Sequence, residues 1–380
     1  MRFLISVFAS VVLLVPAGCG DDADPDSEAP TTAEITTSTS DAELVAPTTT
    51  SPETATTGDE MAWPRERGYG SLVYDAQSDS VLLIGGAYGD QVSALRDVWS
   101  IDLVDGRWVE HADMPPGRGP AGAPVGYDAE SDEVIVLQAV LFDLANDPVS
   151  TRSYDTDADT WTDVSSEPQP RLGVGARMVY DSASDRLIAF GGQAVDGNEL
   201  VYTAETWAYD ANTRTWEERA AVEPPGVSYH AMAYDEQSDR TVLFGFTDDG
   251  DTLLWAYDYR ADVWEELPVV DGPPSASAYQ RAVYDVATDR MLVFGGLRPE
   301  DPASPPPSPD GLVGHNELWR YDYDGNSWEE APTNEASGPL ASHAMTITAD
   351  GTVVVFGGGP SWESYTGDGL WTYDSATDTW

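Results

Sequence analysis

One spacing constrains this chain more than any other: an aspartate followed six residues later by a tryptophan. It occurs at Asp102/Trp108, Asp155/Trp161, Asp210/Trp216, Asp258/Trp264, Asp322/Trp328 and Asp374/Trp380. A second tryptophan column stands three residues before that aspartate, at Trp99, Trp207, Trp255, Trp319 and Trp371, with Arg152 in its place in the second copy. The copies recur from residue 60 at intervals of about fifty residues. A fixed period of that length is the mark of a repeat architecture, and it overrides the two or three domains that 380 residues would otherwise suggest.

Within each copy an inner motif precedes the tryptophans. An apolar strand ends in Tyr-Asp, a short turn follows, and a second apolar strand ends near Gly-Gly. Examples run from Leu72-Val73-Tyr74-Asp75 to Gly85-Gly86, from Met178-Val179-Tyr180-Asp181 to Gly191-Gly192, and from Ala282-Val283-Tyr284-Asp285 to Gly295-Gly296. The fourth copy ends in Gly245-Phe246, the second has Gln138-Ala139 in place of the glycines, and the sixth shortens its turn to Asp350-Gly351. Glycines allow tight exits beside a neighbouring backbone, and aspartates at strand ends bond back to turn amides. The apolar runs lack clean alternation, as strands covered on both faces do.

This Gly-Gly, Tyr-Asp and Trp pattern resembles the kelch repeat over essentially all of residues 59–380. The resemblance implies an all-β fold: a six-bladed kelch-type β-propeller with four antiparallel strands per blade, of the class that includes galactose oxidase. The tryptophan columns are expected to fill the outward-widening wedges between blades. The last copy stops at Trp380, whereas others continue as in Trp264-Glu265-Glu266-Leu267-Pro268. Glu60-Met61-Ala62-Trp63-Pro64 carries a similar string. Either the two ends complete the fourth strand of the last blade together, or the sequence ends short of that strand.

Ahead of the repeats, Arg2 and the apolar run Phe3 to Val15 read as an export signal over residues 1–18, too short to span a bilayer. Val15-Pro16-Ala17-Gly18-Cys19 resembles the lipobox of bacterial lipoproteins, apart from Pro16 where that family usually has leucine. The resemblance implies lipidation of Cys19 and attachment to the membrane of the cell envelope; ordinary signal-peptide cleavage nearby is the alternative. Cys19 is the only cysteine, so the domain has no internal disulfide and no cysteine-ligated metal. Residues 19–58 are rich in Thr, Ser, Pro and acids with few large apolar side chains. Such a stretch cannot offset its chain entropy and reads as a disordered stalk, with a reach of ~35 Å as a flexible coil.

The formal charge is −49, and all 18 basic residues are arginine. An anionic surface of this strength repels nucleic acid and anionic lipid headgroups, so neither is expected as a partner. A monomer is expected.

Candidate ligand-binding residues come from the loops that, in kelch proteins, surround one mouth of the channel. They are Arg67, Tyr69, Arg171, Arg177, Tyr229, His230, Tyr279, Arg281, His343 and Trp362. Four of them, Arg67, Arg171, Arg177 and Arg281, could form a positive focus for a sugar acid, or simply pair with local carboxylates. His230 and His343 share one register, where two imidazoles either bind a metal or sugar or, as we favour, act as hydrogen bonders at strand starts. Trp362, with Tyr365, stacks on a sugar ring or packs its own loop. The Pro-rich loop 297–316, with His315, reads as a lid or a binding surface. Asp155-Thr156-Asp157-Ala158-Asp159 begins like a calcium loop but lacks glycine at the sixth place and has Ser166 at the twelfth, so that reading fails.

No metal and no cofactor is expected. Galactose oxidase chemistry needs a cysteine in the domain, and there is none. No catalytic residue can be assigned. The favoured function is a non-catalytic binding module for a glycan, sugar acid or envelope protein, with a sialic-acid-epimerase type of enzyme as the alternative. A deep mouth where Arg177, Arg281, His230 and a carboxylate converge would favour the enzyme, and a filled mouth the binder.

Overall fold

The Tyr-Asp turns show why each repeat folds as a set of hairpins. The aspartate that ends a first strand accepts from turn amides: Asp75 Oδ1 takes the N–H of Gln77 at 2.9 Å and of Ser78 at 3.1 Å. The residue five places after the tyrosine then adopts a left-handed backbone and accepts the tyrosine hydroxyl. This clasp joins Tyr74 to Asp79, Tyr127 to Asp132, Tyr154 to Asp159, Tyr180 to Asp185, Tyr234 to Asp239, Tyr257 to Asp262 and Tyr284 to Asp289, at 2.6–3.0 Å. Tyr321 uses Asn326 in the same way and Tyr373 uses Asp378. The accepting aspartates have φ of 52–62° and Asn326 has φ 42°, a region in which Asp and Asn are tolerated.

The computed structural model describes residues 62–89, 93–117, 119–139, 148–197, 199–219, 224–247, 251–270, 277–299, 312–333, 335–361, 364 and 366–380. Every regular element among them is a strand. Five antiparallel sheets have four strands each and a sixth has three. Their first strands are Ser71–Asp75, Val125–Asp128, Arg177–Asp181, Ala231–Asp235, Arg281–Asp285 and Ala344–Ile347. Each first strand touches those of both neighbouring sheets, and the sixth touches the first, so the sheets close as six blades around an axis. The signal segment, the stalk, Cys19, Trp362, Tyr365 and the Pro-rich centre of the long loop lie outside the described residues.

Six apolar clusters fill the six wedges between blades. The tryptophan six residues after each aspartate packs on its own third strand and reaches back to the preceding blade. Trp264 lies 5.1 Å from the Tyr257 ring and 5.2 Å from Phe190, and its indole donates to Thr206 Oγ1 at 2.8 Å. Trp328 meets Phe244, Trp380 meets Phe294, and Trp108 meets Phe356 of the sixth blade. Trp216 donates to Thr151 and Trp161 to the carbonyl of Ala112, each one blade back. The other tryptophan column is anchored differently: Trp99 and Trp207 donate to the acids two residues before them, Asp97 and Glu205.

The shared fourth strand expected at closure falls largely on residues 59–61, which lie outside the described residues. Beyond the sixth blade's third strand, Leu370–Asp374, the described chain makes one bridge, Asp374 to Thr379, and Ala62 and Trp63 join no strand. From Trp63 on, the N-terminal segment docks near the start of that third strand. The Trp63 indole donates to the Asp368 carbonyl at 3.3 Å and packs edge-on against Trp108, and the Arg67 N–H donates to Gly367 at 2.8 Å.

A second closed circuit runs around the axis. Where each inner strand begins, one residue takes a left-handed backbone: Tyr69, Gly122, Gly175, Tyr229, Tyr279 and Ser342, with φ between 53° and 79°. Each donates its N–H to the carbonyl of its counterpart in the preceding blade. The bonds are Gly122 to Tyr69 (3.0 Å), Gly175 to Gly122 (2.8 Å), Tyr229 to Gly175 (2.8 Å), Tyr279 to Tyr229 (3.1 Å), Ser342 to Tyr279 (3.3 Å) and Tyr69 to Ser342 (2.7 Å). The result is a six-membered belt of backbone hydrogen bonds. At Gly175 a Cβ would stand 2.4 Å from Ser228 Oγ and 2.7 Å from the Tyr229 ring, so a side chain does not fit there.

The wedge packing makes a quantitative expectation. Trp264 is 2% exposed, so Trp264→Ala should cost about 3–5 kcal/mol of unfolding free energy, while Trp264→Phe should retain most of it. Urea unfolding of both variants measures the difference, and equal losses would place the stabilisation elsewhere.

Candidate functional site

The belt determines where the candidate side chains point. Tyr69, Tyr229 and Tyr279 stand on it, and their rings meet on the axis at centroid distances of 5.9, 5.8 and 4.3 Å. Tyr229 and Tyr279 are buried, and Val174, Ala278, Leu297, Leu312 and Ala341 pack around the trio. The mouth is therefore filled by an aromatic cluster. Burial, first of all, pushes the Tyr229 and Tyr279 hydroxyls well above the usual tyrosine range, so neither is a phenolate at neutral pH.

Two residues further along the inner strand, residues of blades one, two, three and five line a cavity at the axis. Here Arg177 of blade three and Arg281 of blade five line a cavity of ≈ 90 Å³ together with Ser71, Pro124, Met232 and Met345. Each arginine reaches to the next blade's backbone. Arg177 Nε donates to the His230 carbonyl at 2.8 Å, and Arg281 Nε donates to the His343 carbonyl at 3.0 Å. Arg281 Nη2 also donates to the Gly70 carbonyl at 3.0 Å. The Arg177 guanidinium carbon lies 5.9 Å from the centre of the Tyr229 ring, which sets the cavity directly beneath the tyrosine cluster.

The other two arginines of the expected focus stand apart from this pair. Arg67 is buried and fully engaged, with a two-pronged bond to Asp97 at 2.8 Å for both prongs and further bonds to the carbonyls of Gly85 and Arg65. Arg171 is half-buried in the segment leading into blade three and does not line the cavity. The histidines are not brought together either. His230 packs edge-on against Phe190 of blade three at 5.9 Å, and His343 against Phe294 of blade five at 5.2 Å, so they occupy different wedges. Both rings are fully buried, and neither ring nitrogen of either one has a hydrogen-bond partner among the described residues. Trp362 lies outside the described residues. Among the described residues, no three His, Asp or Glu side chains stand close enough to share a metal ion.

Sequence reasoning placed the two axial arginines among four, and paired them only in the enzyme alternative, with His230 and a carboxylate that do not line the cavity. The distinguishing signal was register: Arg177 and Arg281 each stand two residues after a belt position, whereas Arg67 precedes one. On the same face, two blades raise extra hairpins from the connection between their second and third strands. They are Gln193–Asp196 with Glu199–Tyr202 in blade three, and Leu297–Pro299 with Leu312–Gly314 in blade five. The second is built from the two ends of the long Pro-rich loop.

A family model described as the Attractin/LZTR1 beta-propeller matches residues 142–380. The chain belongs to the Attractin/LZTR1 β-propeller family. A solved structure titled "Structure of YjhT" superposes with a TM-score of 0.60 at 14% identity, covering 83% of this chain and 97% of that one. At that identity the likeness is one of fold. This Attractin/LZTR1-type propeller thus has the kelch-type architecture, with a filled mouth and two arginines beneath it.

The buried histidines give a pH dependence with a definite sign. Burial, then the charges of Arg281 and Arg177, pull His343 down to about 3, and burial likewise holds His230 well below its ordinary value. Both are neutral when folded and protonate on unfolding, so their contribution is complete above pH ~6.5 and is lost as pH falls below it. Each should contribute a slope of about 1.4 kcal/mol per pH unit below that point. For His343 the loss continues to about pH 3. Urea unfolding of the wild type and His343→Gln between pH 7 and pH 4 should show a shallower acid limb in the variant, and parallel limbs would contradict the assignment.

Proposed function

We propose that this chain is a non-catalytic binding module, held outside the membrane on a lipid-anchored stalk, that recognises a glycan or an envelope protein. The observation that carries the reading is the filled mouth. Small-molecule sites are usually clefts of roughly 300–1,000 Å³ with a few convergent polar groups. Here three tyrosine rings occupy the axis, and the ≈ 90 Å³ cavity beneath them is lined by no carboxylate that could serve as an acid or base beside the arginines. What remains on that face for recognition is the ring of loops, including the two raised hairpins. Propeller folds of the kelch type suit this use, because a rigid ring presents variable loops at little cost to its core.

Two experiments test the two halves of the reading. Glycan arrays, sugar-acid titrations and binding to isolated envelope proteins with the full chain should find a saturable partner. Shortening the blade-three hairpin, by joining Ala194 to Val201 through an Asn-Gly turn, should weaken that binding at least about tenfold without lowering the melting temperature. Conversion of a sugar acid between its isomers, followed by NMR, would instead make the chain an enzyme. For the anchor, expression in a bacterial host with an alkyne-tagged fatty acid should label the wild type and not Cys19→Ala. Equal labelling, or none in either, would count against acylation at Cys19.

A further inference from the structure

We propose that the axial cavity beneath the tyrosine cluster holds a small, weakly hydrated monoanion, of the size of chloride, bromide or nitrate, clamped between Arg177 and Arg281. This goes beyond the binding reading and does not depend on it.

The argument begins with charge. Arginine keeps its proton in proteins, so both guanidiniums stay charged, that of buried Arg177 and that of half-buried Arg281. The other interior arginine of this face, Arg67, has its carboxylate in Asp97. Arg177 and Arg281 have none: their only hydrogen-bond acceptors among the described residues are the carbonyls of His230, Ala176, His343 and Gly70. Isolated buried charge costs several kcal/mol even after relaxation, and a second like charge across the same cavity adds repulsion. Burial lowers the pKa of both guanidiniums, and the charge of Arg281 adds to the effect at Arg177.

Geometry narrows the answer. Arg177 Nη2 and Arg281 Nη1 make no hydrogen bond to any described residue, and both side chains line the cavity. The neighbouring imidazoles are held neutral and supply no compensating charge, since a protonated ring would add to the repulsion. At ≈ 90 Å³ the space holds about three waters at their liquid volume, or one small anion with a water. Waters alone satisfy donors but leave two positive charges uncompensated. Met178, Met232, Met345 and Val179 are among the lining residues, and such apolar neighbours disfavour an anion that must give up a tightly held hydration shell. Fluoride and sulfate are therefore poor occupants, and bromide and nitrate good ones. The acidic exterior opposes anion entry at low salt, a field that salt screens.

The test is thermal unfolding of the full chain at constant ionic strength, with sodium fluoride exchanged stepwise for sodium bromide. Occupancy of a native-state site should raise the wild-type melting temperature by about 3–5 °C between roughly 1 and 100 mM bromide, relative to Arg177→Met and Arg281→Met. The variants report the general salt effect, so the difference from wild type is the readout. If the wild type and both variants move in parallel, no anion resides there and the proposal falls. Should either variant fail to fold, ³⁵Cl NMR of the wild type decides. Chloride line-broadening that nitrate displaces and fluoride does not supports the site, and broadening insensitive to nitrate overturns it.

Discussion

The structure depends on a backbone circuit that no side chain could replace. Six residues, one at the start of each inner strand, pass a hydrogen bond around the axis until the last returns to the first. For the bonds to point along the circuit, every one of these residues must enter the left-handed region. Glycine does so at little cost, but Tyr69, Tyr229, Tyr279 and Ser342 do so against a preference of roughly 1–2 kcal/mol each. The neighbours over-determine the conformation: three of the four place aromatic rings where they pack on one another, and all satisfy both backbone groups. The tyrosines that fill the mouth and the belt that closes the ring are therefore one device.

The fold was legible in the sequence because its outer parts are written in side chains. The Asp-to-Trp spacing reports the turn between third and fourth strands and the socket in the preceding blade. The Tyr-to-Asp spacing of five was equally regular, but the tyrosine was read as half of a strand-ending pair rather than as the donor of a clasp. The belt was illegible for a physical reason: its bonds are made by N–H and C=O groups, so Tyr, Gly and Ser serve alike. The site suffered from this. Without the belt positions as a register mark, Arg67 looked equivalent to Arg177, although one meets Asp97 across the first blade and the other faces the axis. The joint fourth strand was expected from similarity of sequence strings, and most of the N-terminal string lies outside the described residues.

Charge has a similar double meaning in this molecule. A formal charge of −49 invites thoughts of cationic ligands. Many of the aspartates, however, are committed to turns, accepting from amides, tyrosine hydroxyls or arginines such as Arg186, Arg240 and Arg290, which pair with Asp210, Asp258 and Asp322. The exterior is acidic largely because hairpins are held by carboxylates. The axis has the opposite sign, with two arginines and no acid in the same cavity. Overall charge therefore describes the rim of the blades and not the interior of the ring.

The backward reach of the outer tryptophans gives the ring a direction in time. Each of Trp161, Trp216, Trp264, Trp328 and Trp380 settles into a blade that has already left the ribosome, so blades can lock one after another as they are made. Trp108 is the exception, because its socket is Phe356 in the last blade. The first blade must wait, its tryptophan unseated, until nearly the whole chain has been synthesised. Vectorial growth then ends in a single long-range event that completes the earliest and the latest parts of the molecule together.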